Sequence, residues 1–471
     1  MTTPPAKLLP FEHLDKACLA ATSADAGLSN APTWSFRVEG ALAPDAIRRA
    51  VGWLLCAFPS AAATARPLDA AERTWAWVLP QEPAEVADAI VTIHPPATDA
   101  DAAADLGAAI RDRFLDLRAG PPLRVDWVPH GSGGTLHLQQ HHGLADGRAF
   151  IALIERFFRL LDSAIRGDEP EPTAISGPAR RAELEALALP TGKRRWWTLR
   201  GAWIYVRGAL ADLFAPTTPL WQNTGSDYSG GNRTVHRALG SERTDALRAA
   251  ATAAGGNLHA ALLTAWVRAS AGLSAERGHP ARRLLLSSIV ELRPRAAATV
   301  EFDSFANHLG WVLPRVDLRR TPDFPALMRS LHREMRRQLR VGEVVQRYLF
   351  ERWGLSKLPL PGVRDGLARP KRAVVHCNAS NVLAIPIPFL RGAGFAVQGV
   401  RVTTPVSPRY GALLTVTRYG NEATLNINYK DSILPPDAAE RLATLLEEEL
   451  DGFAATAPAS STTVPAHGGR P

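Results

Sequence analysis

His141-His142-Gly143-Leu144-Ala145-Asp146-Gly147 is the stretch on which the reading of this chain turns. Upstream, Leu123-Arg-Val-Asp-Trp-Val and Thr135-Leu-His-Leu-Gln-Gln alternate apolar and polar residues. Gly131-Ser-Gly-Gly separates them, the pattern of a β-hairpin with a flexible turn. Downstream, Phe150, Ile151, Ile154, Phe157, Phe158 and Leu161 recur at helical spacing, which predicts a helix over Gly147–Leu161 with one apolar face. The histidines therefore stand at a strand end, inside a strand–turn–helix. An imidazole, with an ordinary pKa of about 6.5, can take a proton from an alcohol or an amine at neutral pH. Asp146, four residues after His142, can hold the loop together or cap the helix. Gly143 and Gly147 allow a tight turn and close approach of a substrate or a neighbouring backbone.

On the N-terminal side, Trp34-Ser-Phe-Arg-Val-Glu-Gly reads as a half-buried strand and Ala43–Phe58 as a helix. Ala103–Leu117 reads as a further helix. On the C-terminal side the pattern restarts with a strand at Thr234–Leu239 and helices at Ser241–Ala253 and Leu258–Ala271. A buried strand follows at Leu284–Val290 and a basic helix at Phe324–Val341. Strands are predicted at 373–377, 397–402, 411–418 and 423–429, and a last helix at Pro436–Phe453. The chain thus divides into an N-terminal half, 1–175, an interdomain segment, 176–220, and a C-terminal half, 221–455, with a flexible tail at 456–471. The expected class is α/β (α+β).

Between the halves, Lys193-Arg-Arg-Trp-Trp-Thr-Leu-Arg-Gly-Ala-Trp-Ile-Tyr-Val-Arg207 is basic and aromatic without an acid. It suits peripheral contact with a membrane surface, or an interdomain helix whose tryptophans pack while its arginines stay wet.

Composition narrows the function. The chain has 471 residues, 46% hydrophobic and 21% charged, which is ordinary globular usage. No apolar run reaches the length of a spanning helix, and the start lacks a secretory pattern, so a cytoplasmic protein is expected. Cys18, Cys56 and Cys377 are too scattered for a disulfide framework or a cysteine zinc site. The formal charge is +8, yet only six of the 54 basic residues are lysines and the arginines are dispersed among alanines. GC-rich coding accounts for that, and no nucleic-acid partner is expected.

The His-His-x-x-x-Asp-Gly pattern resembles that of the chloramphenicol-acetyltransferase-like superfamily, which includes peptide-synthetase condensation domains, polyketide-associated acyltransferases and wax ester synthases. Val290-Glu-Leu-Arg-Pro-Arg295, Phe305-Ala-Asn-His-Leu-Gly310 and Ser380-Asn-Val382 resemble further landmarks of that superfamily. Pro219-Leu-Trp221 and Gly255-Gly-Asn257 echo the wax-ester branch. Two departures separate the chain from that branch: Leu258-His259 follows Asn257 where it has Asn-Asp, and Leu383-Ala-Ile-Pro follows Val382 where it has Pro-Gly-Pro.

The resemblance implies two chloramphenicol-acetyltransferase-like halves in a V-shaped pseudo-dimer with a central channel. It implies His142 as general base, deprotonating a hydroxyl or amine acceptor that attacks an acyl thioester. The donor is acyl-CoA or an acyl group on a carrier protein's phosphopantetheine arm; no resident cofactor and no metal are implied. Asp146 is implied to be structural and paired with Arg293 or, second, Arg295, and Gly147 to keep the channel wall thin. His141 is read as a loop-ordering residue. Ser380 and Asn381 are candidates for bracing the crossover strand or stabilising an oxyanion. Asn307, His308 and His376 are candidates for lining the channel. An ester product is favoured. The rivals are a lipid wax ester or diacylglycerol synthase, a freestanding condensation or epimerisation enzyme, and a non-catalytic condensation-like binding protein.

Overall fold

The computed structural model describes residues 7–22, 30–170, 194–218, 220, 230–293, 306–320, 323–368, 377–381, 390–406, 411–420 and 422–456. The first sheet holds β2 (Thr33–Glu39), β5 (Val91–Ile93), β6 (Leu123–His130), β7 (Gly133–Gln140), β13 (Arg391–Gly392) and β14 (Phe395–Thr403). Their order is β13-β14-β2-β7-β6-β5. The predicted hairpin is β6–β7, with His130 opposite Gly133. Alternation puts Leu136 and Leu138 into the core, under α2 (Pro44–Ala57) and α5 (Gly147–Arg166), whose apolar faces close it. Small pieces, α3 (Ala87–Ile90) and α4 (Ala100–Asp112), flank this half.

The second large sheet runs β10 (Leu309–Val312), β9 (Arg283–Glu291), β12 (Cys377–Asn381), β15 (Ala412–Tyr419), β16 (Glu422–Lys430), β8 (Asn232–Ala238). A short β11 (Arg315–Asp317) also pairs with β9. Its core is covered by α7 (Ser241–Ala253), α8 (Leu258–Glu276), α9 (Phe324–Arg340) and α12 (Pro436–Ala454). Strand β14 lies within the C-terminal half of the sequence yet pairs with β2, so the halves 1–175 and 221–455 interleave.

A third, smaller sheet was not predicted: β1 (Lys7–Pro10), β4 (Trp75–Leu79) and β3 (Thr64–Pro67). With α1 (His13–Ala20) and α11 (Leu360–Ala368) it forms a separate cluster around Leu19, Trp75, Trp77, Leu117 and Leu360. Helix α10 (Glu343–Leu355) was also missed, and α6 (Arg194–Phe214) packs on it.

The helix predicted over Ala103–Leu117 is corrected to Ala100–Asp112. It starts on the Asp99 cap and ends where Arg113 turns extended to pair with Asp126. The strand predicted at 373–377 meets β12 only at Cys377; residues 373–376 and the tail from 457 lie outside the described residues.

Candidate active site

Strand β7 ends at Gln140 and α5 begins at Gly147, so the His-His loop is pinned at both ends. The His141 N–H bonds the Pro122 carbonyl at 2.8 Å and the His142 N–H bonds the Asn30 carbonyl at 2.7 Å. The fully buried His141 ring is held on both nitrogens. Gly143 N–H donates to its Nδ1 at 3.0 Å, and Thr22 Oγ1 lies 2.7 Å from its Nε2. Nδ1 is therefore the acceptor, and Nε2–H donates to Thr22, whose hydroxyl passes its own proton bond to the Cys18 carbonyl. Burial, with His142 beside it, pushes the His141 pKa down to about 3, so the ring stays neutral. A Cβ at Gly143 would come within 3.0 Å of His141 Nδ1, which makes this position tight.

His142 is different. Its backbone is fixed, but its half-buried ring makes no hydrogen bond among the described residues. Nδ1 is enclosed, which leaves Nε2 as the ring atom open to a reacting group.

Asp146 caps α5 by accepting the Ala149 N–H at 3.0 Å. Arg293 Nη1 donates to both carboxylate oxygens, at 3.1 and 2.9 Å, and the His308 N–H donates to Oδ2 at 2.7 Å. Burial alone would raise the Asp146 pKa; the Arg293 charge and these N–H donors outweigh it and hold the carboxyl below its ordinary value. Arg293 also reaches the Ala306 carbonyl at 3.1 Å and Glu291 at 3.2 Å. Both partners are almost wholly buried, so the pair is a cross-half fastener with no room for substrate at the carboxylate.

Asn307 is the second fastener. Its Nδ2 donates to the His142 carbonyl at 2.9 Å, the Gly143 carbonyl at 3.2 Å and Asp15 Oδ1 at 3.4 Å. It thus clamps the backbone of the proposed base rather than lining a channel with its side chain. His308 is buried and contributes its backbone to Asp146 and Leu292. Gly147 is the half-buried first residue of α5. Ser380 and Asn381 end β12, paired in register with Thr415 and Val416. Arg295 and His376 lie outside the described residues.

No local pattern marks Thr22 or Asp15 as partners of the loop. Their spacing carries no pattern, because they act from a different element. A further feature lies on the face of β7 turned away from the core. His137 Nδ1 lies 2.8 Å from Ser35 Oγ, and Thr33 sits opposite Gln139. Thr33 Oγ1, His137 Nε2 and Gln139 Oε1 are buried without a hydrogen-bond partner among the described residues. Burial lowers the His137 pKa to about 4. Helix α4 covers this face: Gln139 Nε2 donates to the Arg111 carbonyl at 3.2 Å, and a Cβ at Gly107 would lie 3.2 Å from the His137 ring.

No group of three or more His, Cys, Asp or Glu side chains among the described residues could hold a metal ion.

Solved structures share this fold. The trichothecene 15-O-acetyltransferase from Fusarium sporotrichioides matches with a TM-score of 0.70 at 12% identity, over 95% of each chain. The first condensation domain of the CDA synthetase gives 0.67 at 16% identity, covering 97% of this chain and 98% of that one. Polyketide synthase associated protein 5 from Mycobacterium tuberculosis gives 0.65 at 16%, covering 95% and 100%. The fold is therefore the chloramphenicol-acetyltransferase-like, condensation-domain fold, two halves set in a V about a central channel.

Within it, residues 230–403 match the family model for the C-terminus of phthiocerol/phthiodiolone dimycocerosyl transferase. A sequence comparison with curated proteins yields no match.

Proposed function

We propose that this protein is an acyltransferase that moves an acyl group from a CoA or carrier-protein thioester to a hydroxyl or amine acceptor, with His142 as general base. The observation that carries this reading is the contrast within the motif. His141 and Asp146 are locked by hydrogen bonds on every side, whereas the His142 ring is held only through its backbone and keeps Nε2 open. That is the arrangement general base catalysis needs: a fixed position and a free lone pair.

In this reading the acceptor O–H or N–H gives its proton to His142 Nε2 while the oxygen or nitrogen attacks the thioester carbonyl carbon. The tetrahedral species collapses with loss of the C–S bond, and the imidazolium returns the proton to the departing thiolate. Atoms and charge balance without an acyl-enzyme. The buried, neutral His141 adds no competing positive charge next to the imidazolium that forms on His142. A hydroxyl acceptor, and hence an ester, is favoured by the likeness to an O-acetyltransferase over nearly the whole chain.

The test is product mass spectrometry with a panel of acyl-CoAs and acyl-carrier proteins against candidate alcohols and amines. We expect a product joining acyl group and acceptor with release of the free thiol. His142→Ala should lower kcat/KM by about two to four orders of magnitude at an unchanged melting temperature. Turnover by His142→Ala at the wild-type rate would exclude the mechanism.

A further inference from the structure

We infer that α6 carries a docking surface for an anionic lipid bilayer. One face of this helix is spoken for. Gly201 lies against the Gln346 carbonyl and Phe350 of α10, Trp197 reaches Gly342, and Asp212 pairs with Arg315. The opposite face carries Trp196, Leu199, Trp203, Val206, Leu210 and Leu213, each between 44% and 64% exposed. Their spacing is three, four, three, four, three residues, so they form one stripe about 26 Å long at 1.5 Å per residue. Isolated exposed apolar residues need no explanation, but an aligned row of six with two tryptophans does.

The same spacing suits a helix–helix seam, and the charges decide between the two. In that register the positions flanking the stripe include Arg195 and Arg200, with no acid among them, while Arg207 pairs with Glu343 of α10 at 3.2 Å. A second copy of α6 would set arginine against arginine along both edges, which opposes self-pairing. The only acid of the helix, Asp212, is turned to the opposite face and held by Arg315. An anionic bilayer answers every feature at once. The apolar stripe enters the acyl boundary, the tryptophans sit at headgroup depth, and the arginines reach the phosphates with their stems along the stripe. Among the described residues no helix is long and apolar enough to cross a membrane, so the contact lies in the plane of the surface.

The experiment is co-sedimentation of the full chain with phosphatidylcholine vesicles, with and without phosphatidylglycerol, at low and high ionic strength. Binding is read directly, without turnover, so its outcome is independent of the acyl-transfer reading. We expect binding to the phosphatidylglycerol vesicles that weakens with salt. Leu199→Gln/Trp203→Gln and Arg195→Glu/Arg200→Glu should each lower the partition coefficient by about tenfold or more, with melting temperatures unchanged because all four side chains are exposed. Absence of wild-type binding at low salt, or equal binding by both variants, would overturn the proposal. So would a dimer in sedimentation velocity that Leu199→Gln/Trp203→Gln dissolves, or capture of an acidic carrier protein lost in the same variants.

Discussion

The seven residues of the motif divide by what surrounds them. His142 keeps an open ring nitrogen; Asp146 has none of its oxygen free, since Ala149, His308 and Arg293 all donate to it. Asp146→Ala therefore removes the counter-charge of a buried guanidinium and the cap of α5 together. We expect it to cost about 3–5 kcal/mol of stability and to lower the rate as a consequence, read by thermal unfolding and by turnover on the same sample. Loss of rate at an unchanged melting temperature would assign the carboxylate a direct part in the chemistry. The acid side follows the same logic. The folded carboxyl titrates below its ordinary value, so its contribution is fully present above about pH 4 and is lost as pH falls through the folded value. The chemistry-bearing residues were readable from their types and spacing. Thr22, Asp15 and the Asn307 clamp were not, because hydrogen bonds across such sequence distances leave no local pattern.

At the level of elements, hydrophobic period identified what it could. The β6–β7 hairpin and α5 were legible because alternation and helical spacing are each sustained and each has one buried face. The end of α4 was misjudged because Leu115 and Leu117 keep the helical spacing while Arg113 leaves the helix for Asp126; Leu117 packs in the third cluster instead. Helix α10 carries a weak apolar period because Glu343, Gln346 and Arg347 share its buried face with Val344 and Leu349, held by mutual and backbone bonds such as Arg347 to Glu343 at 3.1 Å. Its docking with α6 depends on one missing side chain. A Cβ on Gly201 would fall 2.1 Å from the Gln346 carbonyl oxygen, so Gly201→Ala must push the helices apart. We expect a loss of about 1–3 kcal/mol and faster amide hydrogen exchange confined to α6 and α10, with the His-His loop still protected.

Over the whole molecule, buried histidines set the response to acid. His137, His236 and His259 are pushed by burial to about 4 and His141 to about 3. The unfolded chain binds protons at these sites from about pH 6.5 downward while the folded chain does not. Stability is therefore greatest above that pH and falls progressively between 6.5 and 4, by roughly 1.4 kcal/mol per pH unit for each such histidine. Urea unfolding at pH 7 and pH 5 should show a clear drop, and His236→Gln should flatten the slope by about one proton. A flat profile would mean that these rings are protonated in place. The two large sheets are joined separately, where Thr234 bonds Thr403 and the Thr404 N–H bonds Asn428.

The amino-acid sequence by itself determined that this is a two-half α/β chain with a His-His-x-x-x-Asp-Gly loop between a strand and a helix. Period, turn residues and motif are all local, and local order is what a linear pattern records. Only the tertiary structure decided which imidazole is open and which is locked, that Arg293 meets Asp146, and that β14 crosses to the first sheet. It also decided which face of α6 is left to solvent. Those outcomes depend on burial and on contacts between residues far apart in the chain, which exist only once both halves have closed around the loop.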